Sequence, residues 1–403
     1  MHGFDDTMRA LGIADPPEGW RAYWEAAEAT YPAGGPDFLA EAYLREIAAL
    51  CEFPEDIPPP LAAMLARVRA DARLSRLAWL WRVVLGARRV EGEIRRWPSP
   101  AGEPLFPAAL VLAEIPAMLK GHALRGIPLD VSRATLRDLA LWMRNYRRRF
   151  GEWGFDRLGW MSYHLAGQLY RVGRMQYLHK PNPWPVRAYR HRETGEVTAF
   201  FDAPQRCRRD GLIDGTNGVT DPAAFTTVFA EDGTRIVGHP IAPEGCVRAE
   251  PMTLSPADWS CVLRPGDPVL DMHIPADGRM DYDACGASVR AAPAFFARHV
   301  PEKPAPVAFT CFTWLLDAQY EELLPADANI VRWQREFHAF PVLSDDLDPF
   351  FRVFDGKPAD LSAAPRDTAL RRALLDTTLA GKPVRCAGGF ILRDGMTWGR
   401  AAE

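Results

Sequence analysis

Val269-Leu-Asp-Met-His-Ile-Pro275, the loop Ala276-Asp-Gly-Arg-Met280, an amphipathic run from Asp281 to His299, and Ala308-Phe-Thr-Cys-Phe-Thr-Trp314 form the stretch that decides the fold. A short apolar run closed by a proline reads as a buried strand, because proline removes a backbone donor and stops the ladder. Asp281 is a good N-cap. Tyr282, Cys285, Val289, Ala292 and Phe296 then recur at helical spacing, giving one apolar face. The second apolar run is another strand, and more helical text follows it. Strand, helix, strand is a crossover between parallel strands, which is nearly always right-handed. Ligands of open α/β sheets lie beyond the carboxyl ends of such strands. His273 and Trp314 stand at those two ends.

Side chains alternate faces along a strand. Val269, Asp271 and His273 therefore share one face, and Leu270, Met272 and Ile274 the other. His273 is either a buried, hydrogen-bonded histidine or an acid–base group at a strand tip. Gly278 permits a tight loop where a ligand approaches the backbone. The start of the Asp281–His299 helix is an anion site in principle, and Arg279 adds a charge-assisted contact. Asp277, Asp281 and Asp283 oppose an anion there. Cys285 and Cys311 read as core thiols, and Asn329 as an N-cap with Ile330, Trp333, Phe337 and Phe340 as a buried stripe. Arg144, Arg147, Arg148 and Arg149 read as a solvated helix face or a phosphate contact.

Outward from this stretch, 403 residues allow two or three domains. Up to about Phe150 the pattern is helical, with Trp20, Tyr23, Trp24, Ala27 and Tyr31 on one stripe. One long helix is expected from Leu61 to about Val90, with Gly86 and Gly92 marking its end. Helices are also expected over Ala108–Leu119, Thr135–Arg149, Leu158–Arg171, Pro256–Leu263 and Arg366–Leu379. Strands are expected at Met175–His179, Val186–Arg190, Val197–Phe201 and Gly389–Leu392, with a hairpin turn at Thr194-Gly195. The order helices, then mixed sheet, divides the chain near Gly151–Gly154, into residues 1–153 and 154–403.

Net charge is −4, which argues against nucleic acid as a partner. No apolar run approaches the roughly 20 residues that cross a bilayer, so no membrane role is expected. The start Met-His-Gly-Phe-Asp-Asp lacks a signal-peptide pattern, and seven scattered cysteines suit reduced thiols, so a cytoplasmic location is expected. Walker, Gly-x-Gly-x-x-Gly, His-Glu-x-x-His, Cys-x-x-Cys and Gly-x-Ser-x-Gly motifs are absent, and no metal is expected.

The residues Leu270-Asp-Met-His-Ile-Pro275, Gly278, Cys285, Phe295-Phe296, Phe309-Thr-Cys-Phe-Thr-Trp-Leu-Leu-Asp317, Leu324, Asn329-Ile330, Gln334 and Phe337 resemble bacterial acyltransferase-domain proteins. Arg171-Val-Gly-Arg-Met-Gln-Tyr177 adds to the likeness. Those proteins have an N-terminal helical domain and a C-terminal GNAT-like (N-acetyltransferase-type) domain. The resemblance implies an α+β chain: an all-helical N-terminal domain, then a GNAT-like mixed-sheet α/β domain in which two parallel strands splay apart. It implies acyl-CoA or acetyl-CoA as co-substrate and a small-molecule or peptide amine as acceptor. It also implies His273 and Asp271 as catalytic groups, and Ile274, Pro275, Gly278, Arg279, Met280, Thr313, Trp314 and Asn329 as donor contacts. The usual pyrophosphate loop, Gln/Arg-x-x-Gly-x-Gly/Ala, is represented only by Gly278 and Arg279. The alternative is a non-catalytic GNAT-like scaffold whose helical domain binds a partner.

Overall fold

A computed structural model describes residues 3–17, 19–87 and 98–399. Packing divides the chain into two units, Met1–Arg171 with Pro275–Asp277, and Val172–Ile274 with Gly278–Glu403.

The first unit is helical, with its main helices at Trp20–Thr30, Glu41–Cys51, Pro58–Ala70, Ala72–Ala87, Pro107–Leu124, Leu129–Phe150 and Leu158–Leu165. Every residue from Ala108 to Ile115 is buried, Glu114 included, which places this helix at the centre of the core. Trp81 anchors the core, 5.5 Å from Trp20 and edge-on to Phe106 at 5.0 Å between ring centroids. The single helix expected from Leu61 to Val90 is two, broken at Asp71, whose backbone is extended. The Asp71 carboxylate instead accepts from the amides of Arg73 and Leu74, an N-cap that starts the second helix. Val90 and Gly92 lie outside the described residues. The helix expected over Leu158–Arg171 stops at Leu165, because Gly167 turns left-handed and Leu169–Val172 is a strand. Phe155, Leu158, Met161 and Leu165 are buried in this helical core, which carries the first unit on to Arg171.

The second unit is built on a mixed sheet. Five of its six strands are β1 (Met175–Pro181), β2 (Pro268–His273), β3 (Ala308–Thr313), β4 (His338–Pro341) and β5 (Ala387–Leu392), in the order β1-β2-β3-β5-β4. β2 and β3 are parallel neighbours, and the other pairings are antiparallel. One face of the sheet carries Tyr177, whose hydroxyl lies 2.9 Å from Ser288 Oγ on the helix Tyr282–His299. The opposite face, with Val269, Ala308, Phe340 and Phe390, shares a core with a second antiparallel sheet. That sheet contains Val186–His191, Val197–Phe201 and Trp259–Leu263. The Thr194-Gly195 hairpin forms as expected, with Gly195 at φ 75°.

The helix expected over Pro256–Leu263 is a turn followed by the strand Trp259–Leu263, which pairs with Val186–His191. Asn329 does not cap its helix: Ala328 is the N-cap and Asn329 the first helical residue. The helix ends at Gln334, so Phe340 is buried from β4 rather than from a helical stripe, and Ile330 is only half-buried.

Gly388 faces Phe340 in register, and a Cβ there would lie 2.1 Å from the ring. Gly388→Ala is therefore expected to cost about 1–3 kcal/mol of stability by overpacking. Urea unfolding tests this; an unchanged midpoint would mean the Phe340 ring swings aside freely.

Candidate functional site

The sequence brings β2 to the middle of the sheet as an apolar strand with two polar exceptions, Asp271 and His273. They share a face, as the alternation requires, and His273 Nε2 lies 3.2 Å from Asp271 Oδ2. Asp271 is buried, and its side chain is engaged on both oxygens. Lys180 Nζ from β1 stands 2.5 Å from Oδ2, and Thr310 Oγ1 from β3 donates to Oδ1 at 3.1 Å. Burial works to raise the Asp271 carboxyl. Contact with His273, and then with Lys180, outweighs burial and holds the group below the usual carboxylate range. The His273 side chain is about one-third exposed (32%), so this charged cluster opens to solvent on the histidine side. Gln176 of β1 pairs with His273 across the strands, and its buried Nε2 has no hydrogen-bond partner.

β2 and β3 part company just here. Their register runs Val269 to Ala308, Leu270 to Phe309 and Asp271 to Thr310, and then stops. Beyond it β2 stays with β1 through His273–Gln176, while β3 stays with β5 through Thr313–Ala387. The two strands therefore diverge toward their carboxyl ends, with His273 bordering one side of the gap and Phe312 the other. Phe312 is 46% exposed, and its ring lies 5.7 Å from that of Trp184, whose buried Nε1 lacks a partner. Sequence reading missed Lys180, Gln176 and Trp184.

The expected donor contacts are distributed as follows. Thr313 ends β3 and accepts from the Leu315 amide at 3.2 Å. Trp314 is packed edge-on against Tyr320, at 5.8 Å. Ile274 is half-buried at the end of β2. Pro275 belongs with Pro275–Asp277 in the first unit, where Asp277 receives the Arg171 guanidinium. Gly278, Arg279 and Met280 resume the second unit. Gly278 is not in the left-handed region, and a Cβ there would clear its nearest neighbour by 3.9 Å, so the loop does not require glycine for its shape. What holds the loop is Arg174, which donates to the carbonyls of Gly278 at 2.7 Å and Arg279 at 2.9 Å. Arg279 and Asn329 are exposed.

Asp281 caps the following helix, accepting from the Ala284 amide at 2.8 Å. Trp398 sits over the first turns of that helix, 5.3 Å from the Tyr282 ring and close enough to Gly286 that a Cβ there would lie 2.5 Å from the indole. The Arg332 guanidinium covers Tyr282 at 3.8 Å. Cys285 and Cys311 are buried, and burial pushes the first thiol up to about 11 and the second well above the usual range, which suits packing rather than nucleophilic chemistry.

Comparison with known proteins agrees with this fold. Residues 169–391 match the family model of the GNAT-like C-terminal domain, and residues 42–167 match that of the N-acyltransferase N-terminal domain. Among solved structures, a mutant acyltransferase bound to octanoyl-CoA shares the fold at a TM-score of 0.65 and 22% identity, covering 97% of this chain and 99% of that one. An acyltransferase bound to decanoyl-CoA matches at a TM-score of 0.64 and 22% identity, covering 96% of this chain and 98% of that one. A third, bound to decanoyl-CoA and teicoplanin, matches at 0.61 and 21%, covering 96% of this chain and 98% of that one. No curated protein matches the chain. Two parallel strands that part beside a buried carboxylate, preceded in the chain by a helical unit, are thus the frame of a recognised domain pair, and the chain belongs to the GNAT-like C-terminal domain family.

Proposed function

We propose that this protein is an acyl-CoA-dependent N-acyltransferase acting on a small-molecule or peptide amine. The observation that carries the reading is the divergence of β2 and β3 directly after Asp271 and Thr310, with the His273–Asp271 pair at its edge. The solved neighbours support the donor class, since three of them hold medium-chain acyl-CoA. The neighbour solved with teicoplanin supports a peptide-like acceptor.

In this reading the acyl thioester lies in the gap between the strands. The acceptor amine attacks the thioester carbonyl carbon; the new C–N bond forms and the C–S bond breaks. His273 takes the proton that the nitrogen loses, and the thiolate leaving group takes one from solvent. An uncharged imidazole nitrogen is a proton acceptor suited to this step. Asp271, 3.2 Å away, orients the ring. Ile274, Gly278, Arg279, Met280, Thr313, Trp314 and Asn329 remain the proposed donor contacts of this unit.

All cysteines among the described residues are free, which supports a reducing compartment, the cytoplasm. Among the described residues no helix is long and apolar enough to cross a membrane.

A thermal-shift titration with octanoyl-CoA tests the reading. At 100-fold over its dissociation constant the donor should stabilise the protein by about 2.7 kcal/mol. No shift with any CoA thioester would instead favour the non-catalytic scaffold.

A further inference from the structure

We propose that Lys180 is a positioning residue of the His273 site: it neutralises Asp271, so that the neighbouring imidazole is kept as an uncharged base. The inference rests on the acyltransferase reading above and adds a residue to it.

The difficulty it resolves is electrostatic. A buried carboxylate 3.2 Å from an imidazole, acting alone, favours the protonated ring, and a protonated ring cannot take a proton from an amine. The geometry supplies a second cation on the same atom. Lys180 Nζ and His273 Nε2 both face Asp271 Oδ2, at 2.5 and 3.2 Å, while Thr310 Oγ1 occupies Oδ1 at 3.1 Å. The lysine and the carboxylate together carry no net charge. What His273 then meets is an oriented hydrogen-bond acceptor rather than a bare anion. Of the other β1 residues on this face, Leu178 opposite Asp271 is apolar and Gln176 opposite His273 is a neutral amide.

The placement is built into the sheet. Lys180 pairs with Val269 in the β1–β2 register, one alternation along the strand from Asp271. Its side chain therefore rises on the same face and reaches diagonally to the carboxylate. The side chains are 31% and 8% exposed, so the pair is anchored at its buried, acidic end. A merely structural ion pair at that depth would alter melting temperature and nothing else.

The test uses the full chain as wild type, Lys180→Met and Lys180→Arg. Thiol release from octanoyl-CoA in water gives kcat and KM. Modification of His273 by diethyl pyrocarbonate at pH 7, located by mass spectrometry, reports the uncharged ring without needing turnover. Lys180→Met is expected to lower kcat about tenfold with KM for octanoyl-CoA unchanged, and to slow His273 modification several-fold. Lys180→Arg should restore both, since it returns the positive charge. Equal modification rates in wild type and Lys180→Met would overturn the proposal. So would equal losses of kcat in both variants accompanied by a lower Tm. Wild-type protein that neither binds octanoyl-CoA nor releases thiol would overturn the acyltransferase reading instead, and the modification rates would still decide the role of Lys180.

Discussion

His273→Ala is expected to lower turnover of an acyl-CoA donor by about 10²–10⁴-fold, the usual contribution of a positioned general base. Donor binding should be nearly unchanged, so the loss falls on kcat. The expectation follows from position. His273 ends β2 where that strand leaves β3, and its ring is held by a buried carboxylate that is itself fixed by Lys180 and Thr310. A purely structural histidine predicts another pattern: stability falls by about 1–3 kcal/mol as a buried polar contact is lost, while turnover per folded molecule is retained. Melting temperature and turnover, measured on one preparation of the variant, separate the two. Normal turnover from a destabilised protein would remove His273 from the chemistry.

Arg385→Met is expected to cost about 3–5 kcal/mol of folding stability, the penalty for stranding one half of a buried ion pair. Its partner, Asp317, is fully buried just beyond the end of β3. Arg385 reaches it at 3.1 Å, its own backbone amide donates at 2.9 Å, and Gln319 donates through its amide at 3.1 Å and its side chain at 3.0 Å. Burial raises the Asp317 carboxyl above the usual carboxylate range, with Arg385 as the chief opposing influence. Without the guanidinium the carboxylate must protonate or remain unpaired. Combining Arg385→Met with Asp317→Asn should recover much of the loss, because the charge then disappears from the interior. Urea denaturation of the single and double variants measures this. A single variant within about 0.5 kcal/mol of wild type, the range of ordinary surface changes, would show that the pair does not hold this corner of the sheet.

What was legible in the sequence was local. The apolar strand ending in His-Ile-Pro, the Asp281 cap and the helical stripe behind it are encoded within a few residues of one another, and all three appear as read. Alternation alone placed Asp271 and His273 side by side. What was not legible depended on register. Lys180 lies far back in the chain, and only the antiparallel pairing of β1 with β2 sets it against Asp271. Nor does Gln176 announce that it will face a histidine. The misread segments share another cause. Trp259-Ser-Cys-Val-Leu263 follows a Pro-Ala-Asp turn that looks like a helix start, yet sheet pairing captures it. Asp71 and Gly167 interrupt otherwise continuous helical text because one caps a new helix and the other adopts φ 63°. The loop at Gly278 differs again: no positive φ is used there, and its conformation is imposed from outside by Arg174.

The early end of the β2–β3 register gives the sheet an edge in its own interior. Edge strands ordinarily present open main-chain donors and acceptors, and proteins shield them against stray pairing. Here β1 and β5 flank the opening, so another protein chain cannot dock there as it would on an outer strand. In the proposed reading, a slender donor that carries amides would lie there instead. Such a guest would be gripped by peptide groups rather than by side chains, taking the place of a missing rung. Side-chain replacement around the opening should then alter the fate of the guest more than its residence.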